Sequence, residues 1–184
     1  MKLILASNSP RRRELLAQDN IQFTVIPSCF EEVGEGLSAQ ETVSLFAEGK
    51  AREVFSRFPG AAVLGADTVV ALDGEILGKP ENSIHAAEML RRLSGRVHAV
   101  YTGVCLIADG FFRSGIVETK VTFRVLSEET IAAYVKSGLP LDKAGAYGIQ
   151  DGYPLVESYK GSYTNVIGLP MELVREYLKE GRLC

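Results

Sequence analysis

Two spacings of apolar residues alternate along the chain. Short apolar runs bounded by turn residues predict β-strands, whereas apolar positions three and four residues apart predict amphipathic helices. Strands are predicted at residues 2–6, 23–26, 61–64, 68–72, 98–108, 111–125, 155–159 and 163–167. Because these runs alternate with helical segments, the pattern predicts an α/β fold.

Capping residues mark the ends of the helices. Helices are predicted to begin at Ser9-Pro10, Ser38, Ser83, Ser127 and Pro170. The first pair combines an N-cap hydroxyl with a proline that needs no N–H at the first helical position. Ser38 and Glu41 have the spacing of a capping box, and Gly95 stands where a C-cap glycine ends the third helix.

Two Asp-Gly pairs, at 73–74 and 109–110, predict tight hairpin turns. The second pair joins two long β-rich runs, so the sheet is expected to be mixed rather than purely parallel. Residues 139–152 form a glycine-rich loop, and the chain contains no repeat or linker. We therefore expect one domain, residues 1–184.

Composition excludes several classes of protein. Of the 184 residues, 46% are hydrophobic and 23% charged, as in an ordinary globular protein. The 20 Lys and Arg against 23 Asp and Glu give a net charge of −3, which disfavours a protein that wraps nucleic acid. No run reaches the length of a membrane span, so no membrane partner is expected. The cysteines Cys29, Cys105 and Cys184 are far apart, so we expect reduced thiols in a cytoplasmic protein rather than a zinc site.

The order of charges along the chain is uneven. After Lys2 and the arginines at 11–13, no Lys or Arg occurs before Lys50. The acids between them are Glu14, Asp19, Glu31, Glu32, Glu35, Glu41 and Glu48. This acidic stretch is either a candidate metal face, since carboxylates hold magnesium against phosphates, or a solvated polar loop.

A strand, a serine-rich turn and arginines in the first helical turn form a candidate anion site. Ser7 and Ser9 carry hydroxyl donors, and the guanidinium groups of Arg11 and Arg12 match phosphate oxygens. The N–H groups and dipole of the helix start favour the same ligand. The alternative is a capped surface helix with solvated arginines.

Asp67 lies between two apolar runs, next to Thr68. A carboxylate flanked by Leu64 and Val69 is costly to bury unless it is paired or coordinated. It is either a turn residue at a strand end, or a metal ligand or general base that acts on water.

Two later segments carry candidate ligand-binding groups. Lys79 follows a glycine, but the segment is one residue short of a P-loop and Pro80 replaces its Ser/Thr. A glycine-rich loop further on carries Lys143, Tyr147 and Gln150. Tyr147 could stack on a ligand or pack in the core, and the amide of Gln150 matches the adjacent N–H and C=O of a uracil or thymine edge.

Together these segments resemble the Maf family of nucleoside triphosphate pyrophosphatases. The matching pieces, in the family's order, are LASNSPRRRELL, EE at 31–32, EGKA, GADTVV, GKP, MLRRLSG, DKAGAYGIQ and GSYTNVIGLP. They cover essentially the whole chain. The KAGAYGIQ loop resembles the corresponding loop of the branch of the family that acts on dTTP and UTP.

The resemblance implies an elongated, twisted mixed β-sheet flanked by helices, with two lobes and a central cleft, as in the inosine triphosphate pyrophosphatases. It implies a cytoplasmic homodimer. The implied reaction is hydrolysis of dTTP or UTP between the α- and β-phosphates, which gives the nucleoside monophosphate and pyrophosphate. A divalent cation, Mg²⁺ or Mn²⁺, is implied as cofactor.

The resemblance also implies roles for individual residues. Asp67 would accept the proton of the attacking water, and Arg11, Thr68 and Gln150 would set base specificity. The other matching cleft positions are Ser7, Ser9, Arg12, Glu32, Lys50, Lys79 and Lys143. In this scheme Glu32 and Asp67 hold the metal.

One position departs from the family pattern, since Asp151 follows GIQ where the family continues with glycine. Two other functions remain open. The first is a pyrophosphatase for inosine or xanthosine triphosphate. The second is a non-catalytic nucleotide-sensing regulator of cell division, which would bind a nucleotide without consuming it.

Overall fold

A seven-stranded mixed sheet forms the frame of the protein in the computed structural model, which describes residues 2–183. Its strands are β1 (Leu3–Leu5), β2 (Phe23–Val25), β3 (Ala62–Leu72), β4 (Glu75–Leu77), β5 (Val97–Ala108), β6 (Phe111–Phe123) and β7 (Val156–Lys160). The helices are α1 (Pro10–Gln18), α2 (Ala39–Arg57), α3 (Ser83–Leu93), α4 (Glu128–Lys136), α5 (Tyr163–Ile167) and α6 (Met171–Glu180). Two short 3₁₀ turns, Leu139–Asp142 and Ala144–Ala146, lie between α4 and β7. The predicted α/β class is confirmed.

The strands follow the order β2-β1-β3-β5-β6-β7, and β4 pairs with β3 outside this path. β1 is parallel to β2 and β3, whereas β3, β5, β6 and β7 are antiparallel to their neighbours, so the predicted mixed sheet is confirmed. Both predicted hairpin turns form. Asp73 and Gly74 have φ values of 53° and 85°, the left-handed values that a type I′ turn requires.

One edge of β3 is shared by two short strands. β1 pairs with residues 62–64 and β4 with residues 70–72, whereas β5 runs along the opposite edge from 63 to 71. Between β1 and β4, residues 65–69 therefore have no strand partner among the described residues on this edge. We call this gap in the sheet the notch.

Two apolar cores lie on one face of the sheet, at either end of the notch. Ala66 belongs to a core built with α1 and α6, and Val70 belongs to a core built with α3 and α4. Thr68 lies between them on β3 and pairs across the sheet with Thr102 of β5. A polar position thus separates the two cores, in agreement with the expected two lobes and central cleft.

The other face of the sheet is covered by α2. A Cβ added to Gly65 would lie against the carbonyl oxygen of Ala47, and one added to Gly103 against that of Val43, closer in each case than real atoms approach. These glycines allow the helix to pack directly on the strands. The predicted capping box begins this helix, because Ser38 Oγ accepts from the Glu41 N–H while the Glu41 carboxylate accepts from the Ser38 N–H.

The prediction of two strands at residues 61–64 and 68–72 is wrong, because a single strand, β3, runs through both. Gly65 and Asp67 resemble turn residues in the sequence, yet both are buried within the strand. Gly65 is required by the close packing of α2, and Asp67 is paired with a lysine. Tertiary contacts therefore explain both residues without a turn.

The strand predicted at residues 163–167 is also wrong, because this segment is the short helix α5. Its β-branched residues favour a strand, but Ser162 caps a helix by accepting the N–H of Asn165. The buried Asn165 amide donates to the Val100 carbonyl and to Thr119 Oγ1. Capping and these long-range hydrogen bonds outweigh the local strand propensity.

Two of the three cysteines lie in the described part of the chain. Cys29 is exposed and Cys105 buried, both as free thiols, and burial raises the pKa of Cys105 to about 12. Cys184 lies outside the described residues. Across residues 2–183, the structure holds no helix with the length and apolar character that crossing a membrane requires.

Candidate active site

A cavity of about 730 Å³ lies at the notch. Its wall includes the β1–α1 turn, the middle of β3, the segment after β4 and the loop that leads to β7. All the predicted site residues line it: Ser7, Ser9, Arg11, Arg12, Glu32, Lys50, Asp67, Thr68, Lys79, Lys143 and Gln150. Segments far apart in sequence therefore bring one set of polar side chains together.

The start of α1 is less open to an anion than the sequence indicates. Ser9 is the N-cap, and its Oγ accepts the N–H of Arg12 at 3.4 Å. Pro10 has no N–H, and Ser7 Oγ accepts the N–H of Ser9 at 3.2 Å. Fewer backbone donors remain at this end than an uncapped helix would have.

Arg12 is buried and binds the protein itself. Its Nε donates to the Gly168 carbonyl (2.8 Å), Nη1 to Ser7 Oγ (3.1 Å) and the Ala66 carbonyl (2.9 Å), and Nη2 to Thr68 Oγ1 (3.1 Å). Burial lowers the pKa of the guanidinium, and nearby carboxylates partly oppose that shift. Most donors of Arg12 thus stabilise the cavity wall, including a carbonyl of the notch that lacks a strand partner.

Asp67 pairs with a lysine from α2. Lys50 Nζ lies 2.7 Å from Asp67 Oδ1 and 2.7 Å from Glu32 Oε1. The side chains of Lys50 and Asp67 are 14% and 13% exposed, whereas that of Glu32 is 51% exposed. Lys50 can reach β3 because α2 packs directly on the strands. The pair neutralises the carboxylate and directs Oδ1 toward the helix, so Oδ2 is the oxygen available to a ligand or water.

The carboxylates fit a divalent cation only in partnership with a substrate. Within the described range 2–183, no group of three or more His, Cys, Asp and Glu side chains is placed to hold a metal ion alone. Glu32 and Asp67 nevertheless approach the same ammonium group, so both carboxylates lie near one point of the cavity. Magnesium commonly binds through one or two carboxylates together with substrate phosphates, and this donor set matches that pattern.

One residue of the acidic stretch contributes to the cavity, and three others have partners elsewhere in the chain. Of its seven residues, Glu32 alone lines the cavity within the described part of the chain. Glu41 completes the capping box, Glu48 pairs with Arg52, and Asp19 pairs with Arg175. The stretch as a whole is therefore not a metal face.

The loop before β7 forms the opposite wall of the cavity. Arg11 reaches it, with Nη1 donating to Asp142 Oδ2 at 2.6 Å and Nη2 to the Asp142 carbonyl at 3.2 Å. Burial raises the pKa of Asp142, but the hydrogen bonds from Arg11 and Lys143 outweigh it and the net shift is downward. Lys79 and Gln150 are exposed on the cavity wall. An ion pair thus joins α1 to this loop beside the predicted specificity residue Gln150.

Thr68 faces away from α2, into a buried polar cluster. Its Oγ1 lies 2.9 Å from Thr102 Oγ1 and 3.3 Å from the Gly168 carbonyl. Thr102 Oγ1 in turn donates to the Asn165 carbonyl at 3.2 Å. The hydroxyl of Thr68 is therefore held between Thr102 of β5 and the Gly168 carbonyl at the end of α5.

Tyr147 packs in the core while one part of it lines the cavity. It is 5% exposed, makes edge contacts with His98 and Phe123, and its hydroxyl lies 2.7 Å from His98 Nε2. His98 Nδ1 has no partner among the described residues. Desolvation by burial lowers the pKa of His98 to about 4, so the ring is neutral near pH 7. Of the two roles open to Tyr147 in the sequence, the structure shows packing in the core.

Sequence reasoning missed several residues that build the wall. Asp142, Gly168 and Asp151 each bind a residue of the predicted set, and Thr102 supports Thr68. The adjacency of Asp142 to Lys143 is a signal that could have been used. Gly168 acts through its carbonyl, which the sequence does not reveal.

The chain is similar to known proteins over nearly its whole length. A family model described as Maf-like protein matches residues 2–181. The chain is 51% identical over 173 residues to a dTTP/UTP pyrophosphatase of Thermococcus gammatolerans, covering 94% of this chain and 92% of the relative. It is 53% identical over 171 residues to a dTTP/UTP pyrophosphatase of Myxococcus xanthus, covering 92% and 87% respectively. A dTTP/UTP pyrophosphatase of Thermococcus onnurineus is 52% identical over 174 residues, 94% of each chain.

Proposed function

Because the chain belongs to the Maf family, we propose that it is a nucleoside triphosphate pyrophosphatase that hydrolyses dTTP and UTP. The products are the nucleoside monophosphate and pyrophosphate. The observation that carries the proposal is the cavity at the notch, where an aspartate, cationic side chains and a pyrimidine-matching amide line one space. Relatives with this activity in their names cover nearly the whole chain.

The proposed role of Asp67 is to accept a proton from the attacking water. Water oxygen bonds to the α-phosphorus, the bond from that phosphorus to the α–β bridging oxygen breaks, and pyrophosphate leaves with the electron pair. Lys50 holds Oδ1 at 2.7 Å, which orients the carboxylate and leaves Oδ2 for the water. The pairing also offsets the cost of a charged group that is largely buried.

Lys79, Ser7 and Ser9 are proposed to bind the triphosphate. Lys79 is exposed on the cavity wall, and Ser7 and Ser9, which precede the first residue of α1, line the same cavity. Positive charge placed near the departing pyrophosphate stabilises the charge that develops there. Arg12 contributes chiefly by holding Ser7 and the strand in place.

A divalent cation is proposed to bind between Glu32, Asp67 and the phosphates. When bound, Mg²⁺ or Mn²⁺ would neutralise phosphate charge and acidify water. The support is the convergence of the two carboxylates on Lys50. A readout independent of catalysis is binding of Mn²⁺ in the presence of a non-hydrolysable triphosphate, which Glu32→Gln should weaken.

The nucleoside is proposed to lie against the loop that carries Gln150. Its amide can donate to a pyrimidine carbonyl and accept from the ring N–H. Arg11 and Thr68 are proposed to complete the specificity of this end, since both line the same cavity.

The whole chain is proposed to act as one domain, because both cores share β3 and β5. We also propose that the protein works in the cytoplasm as a homodimer. The support for the first assignment is that Cys29 and Cys105 are free thiols, and the support for the second is the resemblance of the motifs to the family. Light scattering after gel filtration tests the dimer.

Product analysis tests the proposed reaction. The purified protein is incubated with a panel of nucleoside triphosphates and Mg²⁺ or Mn²⁺, and the products are separated. UMP or dTMP with pyrophosphate is the expected result. Diphosphate with orthophosphate, preferential turnover of ITP, or binding without any product would each overturn it.

A further inference from the structure

Asp151 occupies a buried position directly beside the proposed base-recognising residue. Its carboxylate is 8% exposed and accepts a hydrogen bond from Tyr134 Oη at 2.6 Å. The same tyrosine oxygen accepts the N–H of Gly148 at 3.0 Å, and the N–H of Asp151 donates to the Gly148 carbonyl at 3.2 Å. Gln150 therefore stands in a short turn whose two ends are both bound to Tyr134.

The carboxylate of Asp151 also fills the space above Gly148. A Cβ added to Gly148 would lie 2.7 Å from Asp151 Oδ1, so a larger residue at 148 would displace the carboxylate. The Asp151 side chain thus packs against its own turn, beside Gly148, and does not line the cavity. The turn is built around this carboxylate.

Lys143 uses its ammonium group within the same loop. Its Nζ donates to the Leu139 carbonyl at 2.5 Å and to Asp142 Oδ1 at 3.0 Å, and lies 3.3 Å from Asp151 Oδ2. The Lys143 side chain is 8% exposed. An ammonium group has three N–H donors, and three protein oxygens surround this one. Its charge is balanced inside the loop and little of it is left for phosphate.

These contacts form one continuous network from the core to the cavity. Tyr134 of α4 binds Asp151, Asp151 pairs with Lys143, Lys143 binds Asp142, and Asp142 binds Arg11 at the start of α1. The network ends at Arg11 and encloses the turn of Gln150. Both are proposed to recognise the base. Asp67 and Lys50 form their hydrogen bonds and ion pairs with each other and with Glu32, outside this network.

We propose that Asp151 is a positioning residue for nucleoside recognition, and that Lys143 acts as its structural counter-ion rather than as a triphosphate ligand. Together they hold the turn that presents Gln150 to the base. The proposal rests on the proposed function, because it assigns the loop to the nucleoside end of the same site.

Two ligands separate the nucleoside end from the phosphate end. Calorimetry with α,β-methylene-UTP measures binding of the whole nucleotide, and inorganic tripolyphosphate measures the phosphate end alone. Asp151→Asn keeps the shape of the side chain but removes the charge beside Lys143. We expect its affinity for α,β-methylene-UTP to fall about tenfold while its affinity for tripolyphosphate stays at the wild-type value, since charge-assisted contacts contribute about this much.

Lys143→Met should likewise lower the affinity for α,β-methylene-UTP and leave the affinity for tripolyphosphate unchanged. Loss of tripolyphosphate binding in Lys143→Met would overturn the structural role of the lysine. Unchanged affinity for both ligands in Asp151→Asn, or an equal loss for both, would overturn the role of the aspartate. Asp109→Asn is the matched control, because Asp109 lies in the exposed β5–β6 turn outside the cavity.

If Asp151→Asn does not yield folded protein, Tyr134→Phe carries the same test. It removes the hydroxyl that binds Asp151 and Gly148 while keeping the ring in the core, and we expect the same split between the two ligands. Failure of the proposed function is distinguishable, because the wild-type protein would then bind tripolyphosphate and α,β-methylene-UTP equally or bind neither.

Discussion

Asp67 and Thr68 are neighbours in sequence but face opposite sides of β3. Side chains alternate along a strand, so Asp67 points toward α2 and pairs with Lys50, while Thr68 points toward Arg12 and Thr102. One strand therefore delivers a proposed catalytic group and a proposed specificity group from consecutive positions. A shift of one residue in register would exchange the two environments.

Replacing Asp67 by Asn should remove the proton acceptor without removing the shape of the side chain. We expect kcat for UTP to fall about a thousandfold, within the range typical of general-base removal, while affinity for α,β-methylene-UTP changes little. Release of pyrophosphate measures turnover, and calorimetry measures affinity. Asp73→Asn, in the exposed turn after β3, is the control. Near-normal turnover in Asp67→Asn would rule out this role.

The neutral buried His98 should make stability depend on pH. Its pKa is lowered from 6.5 to about 4 by burial, so the unfolded chain binds a proton that the folded chain rejects. The free energy of unfolding is unaffected by this group above pH 6.5 and falls as the pH drops from 6.5 toward 4. The loss at pH 4 should reach about 3 kcal/mol.

Urea unfolding at pH 7 and pH 4 measures this effect. In His98→Gln the difference between the two pH values should shrink by most of that amount, whereas His85→Gln should retain it. The same pH dependence in His98→Gln as in the wild type would contradict the assignment.

The site residues predicted from the sequence all line one cavity. The sequence did not point to Gly168, which contributes a carbonyl, or to Asp142 and Thr102. It marked Asp151 as a departure from the family pattern, but not that its carboxylate is enclosed by its own loop. Backbone acceptors have no signature in residue type. The partners of a buried carboxylate depend on contacts between distant segments.

Among the elements, α2 can pack directly on the sheet only because the strand positions beneath it are glycines without side chains. Gly103→Ala would place a methyl group against the Val43 carbonyl and force the helix off the sheet. We expect a loss of about 2 kcal/mol in the free energy of unfolding, measured in urea. The atoms nearest to the added methyl group belong to the backbone and cannot rotate away. Gly78→Ala is the control, since a Cβ there meets no atom within 4 Å. Equal stability of the two variants would show that α2 can shift.

Element type followed from the sequence wherever local signals agreed. The capping box of α2 and the Asp-Gly turns formed as predicted. The errors at β3 and α5 fall where tertiary contacts override local preference, and the short strand β4 (Glu75–Leu77) was not predicted. Gly65 and Asp67 are acceptable within a strand only because α2 packs on the first and Lys50 pairs with the second.

For the whole molecule, the decisive feature is the sharing of one β3 edge by β1 and β4. No local pattern predicts the notch, because it depends on which strands pair and on how far each pairing extends. The predicted alternation of strands and helices was sufficient for the fold class. It was not sufficient to locate the cavity, which lies where the pairing stops.

The notch also has a consequence for hydrogen exchange. Leu64 accepts the N–H of Ala6 and Ala66 accepts from Arg12, so even-numbered residues of β3 direct their backbone groups toward the open edge. The amides of Ala66 and Thr68 therefore point into the gap, whereas the backbone groups of their odd-numbered neighbours point toward β5. In deuterated buffer we expect these two amides to exchange faster than those at 65 and 67, and to slow when α,β-methylene-UTP is bound. A central strand would then report occupancy of the cavity rather than global unfolding.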